Sequence, residues 1–166
     1  MRPPARQEAP RSRRPAGTGE FEMPRKPRQD GTPPAQDDYE RTFSFAGELH
    51  SVTEARLAAE EFLGALATRS PPAAHEYWDD ILLVVTELAA NVVQYAPGPF
   101  GLRMRRTFDG VHVTMCDTST ARPEPRPFVP RTGVGGIGWH LVRTLCTQVS
   151  VVVHEDGKDI HAFLPW

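Results

Sequence analysis

Residues 101–116 read Gly101-Leu102-Arg103-Met104-Arg105-Arg106-Thr107-Phe108, then Asp109-Gly110, then Val111-His112-Val113-Thr114-Met115-Cys116. Leu102 and Met104 alternate with arginines, and Val111, Val113 and Met115 alternate with more polar residues. A period of two is the mark of a strand with one buried face. Asp-Gly between two such runs is a two-residue hairpin signal. The two strands are therefore expected to be antiparallel neighbours, with no helix crossing between them. A doubly wound nucleotide fold needs a helix after each strand, and this stretch has none.

Downstream, residues 118–134 are rich in Pro, Arg and Thr and read as a long functional loop. A helix is expected from residues 135–138 to about Thr147, with Trp139, Leu141, Val142 and Leu145 along it. Two further strands, 148–154 and 160–164, flank a turn at Asp156-Gly157. Upstream, Ile81, Val84, Val85, Leu88 and Val92 recur at helical spacing within a helix of about 73–95, which Pro97-Gly98-Pro99 ends. A shorter helix over 52–68 should bury Leu57, Phe62, Leu63 and Leu66 before Pro71-Pro72 breaks it. Ser51 and Glu54 have the spacing of a capping box at its start. Thr42-Phe43-Ser44-Phe45 reads as one more strand. The order is strand, two helices, two strands, helix, two strands. The fold class is α+β: a two-layer α/β sandwich whose mixed, mostly antiparallel sheet is covered on one face by about three helices.

Residues 1–38 stand apart. They are dominated by Pro, Arg, Gln, Gly and Asp and are expected to be a disordered tail, with the domain at 41–166. The tail has eight Lys/Arg against six Asp/Glu, and the rest has eleven against fifteen. An acidic body argues against nucleic acid as the main partner. Cys116 and Cys146 lack metal-type spacing and read as reduced thiols. The six histidines show no metal-ligand spacing either, and Ser119 has no triad pattern around it. No apolar run approaches the roughly 20 residues of a membrane span, and no hydrophobic region follows the N-terminal arginines, so a cytoplasmic location is expected.

Three places carry chemistry-bearing residues. Glu87 and Asn91 are four apart, one helical turn from each other on one face, and Asp80 falls near that face too. A carboxamide oxygen can serve a magnesium ion that keeps most of its waters, and a carboxylate beside it can act as general base. Alone, the pair fits a solvated helix face as well. Asp117 ends a strand, where it can accept from an exocyclic amine or cap the loop. Gly133, Gly135, Gly136 and Gly138 allow a close backbone approach at a helix N-terminus, which favours anions. The Gly-Lys-Ser/Thr of a Walker loop is absent. Arg126 and Arg131 lie in the preceding loop, placed either to close over phosphates or to remain solvated.

In this order, Glu87-x-x-x-Asn91, then Asp117-Thr118-Ser119 with Pro123, then the glycines at 133–138 resemble the Bergerat-type ATP site of the GHKL superfamily, which includes histidine kinases, gyrase, Hsp90 and MutL. The resemblance covers about 41–166. The wording of Leu83-Val84-Val85-Thr86-Glu87-Leu88-Ala89-Ala90-Asn91-Val92-Val93, of Gly135-Gly136-Ile137-Gly138-Trp139-His140-Leu141-Val142, and of Gly157-Lys158 with Ala162-Phe163-Leu164-Pro165 is similar to the stand-alone bacterial anti-sigma-factor serine/threonine kinases. The resemblance implies ATP and Mg²⁺ as cofactors. It makes Asn91 the metal ligand, Glu87 the catalytic base and Asp117 the adenine reader. Gly133, Gly135, Gly136 and Gly138 would cradle phosphates, Arg131 would assist, and residues 120–134 would form a lid. Implied partners are a sigma factor and an anti-anti-sigma antagonist phosphorylated on Ser or Thr, with a homodimer as the assembly. Neither a nucleic-acid nor a membrane partner is implied. The alternative is an ATP-binding module that sequesters a partner without catalysis.

The sequence departs from that family in three places. Asp159 stands where the family commonly has a threonine supporting the adenine-reading aspartate, and a second carboxylate near Asp117 would repel it. Ile137 stands where many relatives carry a polar or basic residue. The tail has no counterpart in the minimal domain.

Overall fold

The computed structural model describes residues 39–123 and 137–166. Within them the order is β1 (Glu40–Phe45), α1 (Ser51–Ala67), α2 (His75–Tyr95), β2 (Phe100–Arg106), β3 (Gly110–Asp117), α3 (Ile137–Leu145), β4 (Gln148–His154) and β5 (Gly157–Pro165). The expectations for the tail 1–38, for Arg126 and Arg131, and for Gly133, Gly135 and Gly136 fall outside the described residues.

The five strands form one sheet in the order β1-β2-β3-β5-β4, with every neighbouring pair antiparallel. Three helices pack on it, so the architecture is the α+β sandwich expected from the hairpins. Alternation decides the faces. Leu102 and Met104 of β2, Val111, Val113 and Met115 of β3, and Ile160, Ala162 and Leu164 of β5 are buried in the core. They meet Ile81, Val84, Val85, Leu88 and Val92 of α2, all buried as their spacing predicts. Full burial of one such side chain contributes roughly 1.5–3 kcal/mol, so this shared layer dominates the stability of the sandwich. Trp166 donates its indole N–H to Ser70 O at 2.7 Å, tying the last residue to the link between α1 and α2.

Some local expectations fail for identifiable reasons. Ser51 is not the cap of α1. The helix is entered one residue earlier, with His50 as N-cap in the right-handed helical region. Ser51 is thereby drawn inside, and its Oγ is buried without a hydrogen-bond partner. Glu54 approaches the His50 imidazole, at 3.8 Å, rather than reaching back to a backbone N–H. Leu57 is 56% exposed, because the buried stripe of α1 runs through Ala55, Ala59, Phe62, Leu63 and Leu66. Two residues from Ala55, Leu57 is about 200° around the helix from it.

Both hairpins also turn one residue before the Asp-Gly signal. Thr107 N–H donates to Gly110 O at 2.8 Å, leaving Phe108-Asp109 at the centre of the turn. His154 pairs with Gly157, leaving Glu155-Asp156 as the other turn. The glycines serve close packing instead. A Cβ on Gly110 would collide with the Leu164 carbonyl, and one on Gly157 with the Asp117 carbonyl.

Candidate functional site

One cavity of about 700 Å³ lies between α2, the ends of β3 and β5, and the first turn of α3. That size falls within the roughly 300–1,000 Å³ of small-molecule sites. Glu87, Asn91, Asp117 and Gly138, which the sequence analysis singles out separately, all line it. The sequence explains each placement. On α2 the run Val84, Val85, Leu88, Val92 turns inward and leaves Glu87 and Asn91, one turn apart, half-buried at its edge. Asp117 is the last residue of β3 and follows Met115 onto the helix-facing side of the sheet. Among the described residues α3 begins at Ile137, and its first turn borders the cavity. A second hollow of about 350 Å³ beside Pro72 and Trp78 has His75 as its only titratable lining group.

Glu87 and Gly138 are in contact. A side chain on Gly138 would collide with Oε2 of Glu87. The glycine therefore lets the described start of α3 approach the Glu87 carboxylate on α2.

The deepest polar group is Asp117. Its Oδ1 accepts the Ser119 N–H at 2.8 Å, an Asx-type turn that reverses the chain out of the sheet. The same oxygen accepts from Lys158 Nζ, also at 2.8 Å, and Lys158 donates further to Ser119 O at 3.1 Å. Register explains the partner: Asp117 is opposite Lys158 on β5, whereas Asp159 is opposite Cys116. Successive residues of a strand point to opposite faces. The expected repulsion between Asp159 and Asp117 is therefore corrected. Asp159 faces the other side of the sheet, where it meets His154 Nε2 at 3.2 Å. The residue that conditions Asp117 is Lys158, which the sequence analysis mentions only as part of a motif. A lysine directly after Asp156-Gly157, paired in register with the aspartate, is the signal that could have found it.

Arg122 is the other missed residue. It lines the cavity and donates to Val151 O of β4 at 3.3 Å. Asp80 does not line the cavity. Its charge acts instead on Cys146.

The donor set suits a cation carried in by phosphates better than one held by protein alone. Among the described residues no group of three or more His, Cys, Asp or Glu could hold a metal ion. Asn91 lines the cavity, and a carboxamide oxygen is a fitting single ligand for a magnesium ion that keeps its other positions for phosphate and water. Bound there, the ion would supply charge neutralisation for a polyphosphate.

Comparison with known proteins agrees with this fold. The model of the histidine kinase-like ATPase domain matches residues 45–162, and the chain belongs to that family. Among solved structures, it is similar to the RsbU and RsbW domains of Rv1364c from Mycobacterium tuberculosis. That likeness has a TM-score of 0.56 and 14% identity, and it covers 76% of this chain and 31% of the other. At that identity the likeness is one of fold. No curated protein matches in sequence. Among the described residues no helix is long and apolar enough to cross a membrane.

Proposed function

We propose that this chain is a Mg-ATP-dependent regulator of the anti-sigma-factor type. It binds a sigma factor and phosphorylates an anti-anti-sigma antagonist on serine or threonine. The observation that carries the proposal is the convergence of Glu87, Asn91, Asp117 and Gly138 on one cavity of an ATPase-family fold. In this reading Asp117 receives the adenine amine and Asn91 holds the Mg²⁺ that neutralises the phosphates. The first turn of α3 faces the phosphates, with Gly133, Gly135, Gly136 and Arg131 completing the cradle. Glu87, beside the phosphate end, takes the proton from the attacking hydroxyl as that oxygen bonds to the γ-phosphorus and ADP leaves.

The assay is transfer of the γ-phosphate of labelled ATP to a candidate anti-anti-sigma protein, with Glu87→Ala as control. Transfer that falls by about 100-fold or more in the variant supports the base assignment. Equal transfer by both proteins contradicts it.

A second reading, an ATP-binding module that sequesters its partner without catalysis, is favoured by the contact of Glu87 with Gly138. A carboxylate packed against backbone serves as a positioned anion more readily than as a mobile base. In that case ATP binds, no phosphate moves, and sigma-factor binding persists in Glu87→Ala.

A further inference from the structure

The cavity floor carries a cation as well as a carboxylate. An ammonium has three donors. Lys158 uses two of them, toward Asp117 Oδ1 and Ser119 O, and no acceptor among the described residues takes the third. Asp117 is similarly half-used: Oδ1 accepts twice, while Oδ2 accepts nothing among the described residues. Among the described residues Ser51 Oγ, outside the cavity, is the one side-chain oxygen or nitrogen sealed from solvent without a partner, and Asp117 Oδ2 is not in that state. Asp117 and Lys158 both line the cavity. A donor and an acceptor thus stand side by side at its base, fixed by an ion pair between neighbouring strands.

We propose that Lys158 is a base-reading residue: its ammonium donates to ring N1 of an adenine whose exocyclic amine donates to Asp117. The inference rests on the nucleotide site proposed above and adds a second point of recognition to it. The Watson–Crick edge of adenine presents a donor, the 6-amino group, next to an acceptor, N1. Guanine presents the two in the opposite order, with an acceptor at position 6 and a donor at N1. With ribose and phosphates held from the helix end, a floor that matches adenine sets donor against donor for guanine. A site built to hydrogen-bond a substrate rejects the analogue lacking the bond, because its own buried groups are left unpaired. A lone carboxylate would accept any exocyclic amine; the paired lysine restricts the choice to a base with an acceptor beside it.

The test uses the full chain and calorimetric titration with the magnesium complexes of ATP, 1-deaza-ATP and 7-deaza-ATP. In 1-deaza-ATP the N1 acceptor is replaced by C–H, whereas 7-deaza-ATP keeps N1 and controls for ring changes. The wild type is expected to bind ATP and 7-deaza-ATP alike and 1-deaza-ATP roughly tenfold or more weakly. Lys158→Met is expected to bind ATP more weakly than the wild type and to lose the discrimination between ATP and 1-deaza-ATP. Discrimination that survives in Lys158→Met, or equal binding of ATP and 1-deaza-ATP by the wild type, overturns the N1 contact and leaves the nucleotide site standing. Tighter ATP binding by Lys158→Met also overturns it, because the lysine then competes with adenine for Asp117. A wild type that binds none of the three overturns the nucleotide site itself, and this inference with it. If Lys158→Met does not fold, the wild-type comparison of the analogues decides alone.

Discussion

Lys158 Nζ lies 2.8 Å from Asp117 Oδ1, and the two side chains are 7% and 1% exposed. The bond crosses from the end of β3 to the start of β5, so it fixes both the floor of the cavity and the register of the two strands. Breaking a buried pair by removing one partner costs about 3–5 kcal/mol, because the other charge is left buried alone. Asp117→Ala is therefore expected to lose stability of that order in urea denaturation at pH 7. Replacing both by apolar residues, as in Asp117→Leu with Lys158→Met, should recover most of the loss. A loss below about 1 kcal/mol in the single variant would show that the pair is not buried as described.

Gly138→Ala tests the contact between α3 and Glu87. The added methyl meets the far end of a flexible side chain rather than backbone, so Glu87 can swing away at small cost. Stability is expected to change by less than about 1 kcal/mol. Phosphotransfer should nevertheless fall by tenfold or more, since displacing a catalytic group by about 1 Å is enough for a loss of that order. Unchanged transfer with unchanged stability would mean that Glu87 needs no positioning from α3.

On the sheet face away from the helices, His112 stacks on Phe163 at 4.1 Å, and its Nε2 lies 3.2 Å from His161 Nδ1. Burial is the main cause that lowers its pKa from the ordinary 6.5 to about 4, followed by the charges of His161, Arg105 and Arg103. The folded pKa lies below the unfolded one, so between about pH 6.5 and 4 the unfolded chain binds more protons. Stability from this residue is therefore complete above pH 6.5 and is lost as the pH falls through that window. Thermal melts at pH 7 and pH 5 should show a larger fall in Tm for the wild type than for His112→Phe. Equal falls would count against a neutral, half-buried His112.

Cys116 and Cys146, expected as reduced thiols, are both free and half-buried rather than fully buried. Burial pushes both up to about 12; a hydrogen bond and charge from Asp159 add to the first, and the charge of Asp80 adds to the second. Thiolate is the reactive form, so both should resist Ellman's reagent at pH 8 in the folded chain and react at once in guanidinium. Rapid labelling of the folded protein would place at least one thiol in the open.

The fold was legible because its hairpins are. Alternation in 101–116 set the faces of two strands, and the spacing of Ile81 to Val92 set the buried side of α2. Details that depend on how the backbone enters or leaves an element were less so. Ser51 and Glu54 have the spacing of a capping box, but the local chain places His50 at the cap. Asp109-Gly110 has the composition of a tight turn, yet Gly110 is required by the approach of β5, a contact with residues more than fifty positions away. The candidate site was legible as types and spacing: Glu87, Asn91, Asp117 and Gly138 converge. Its charge balance was not, since whether Lys158 or Asp159 faces Asp117 depends on a register that the sequence alone leaves open by one residue.

The most direct test of the account is one Mg-ATP titration of the wild type and of Asn91→Ala, repeated with EDTA in place of magnesium. The account predicts that the wild type binds Mg-ATP at least about tenfold more tightly than Asn91→Ala, and that the gap closes when the metal is removed. Equal affinity of the two proteins in the presence of magnesium would contradict the role of Asn91, and with it the reading of this cavity as a Mg-ATP site.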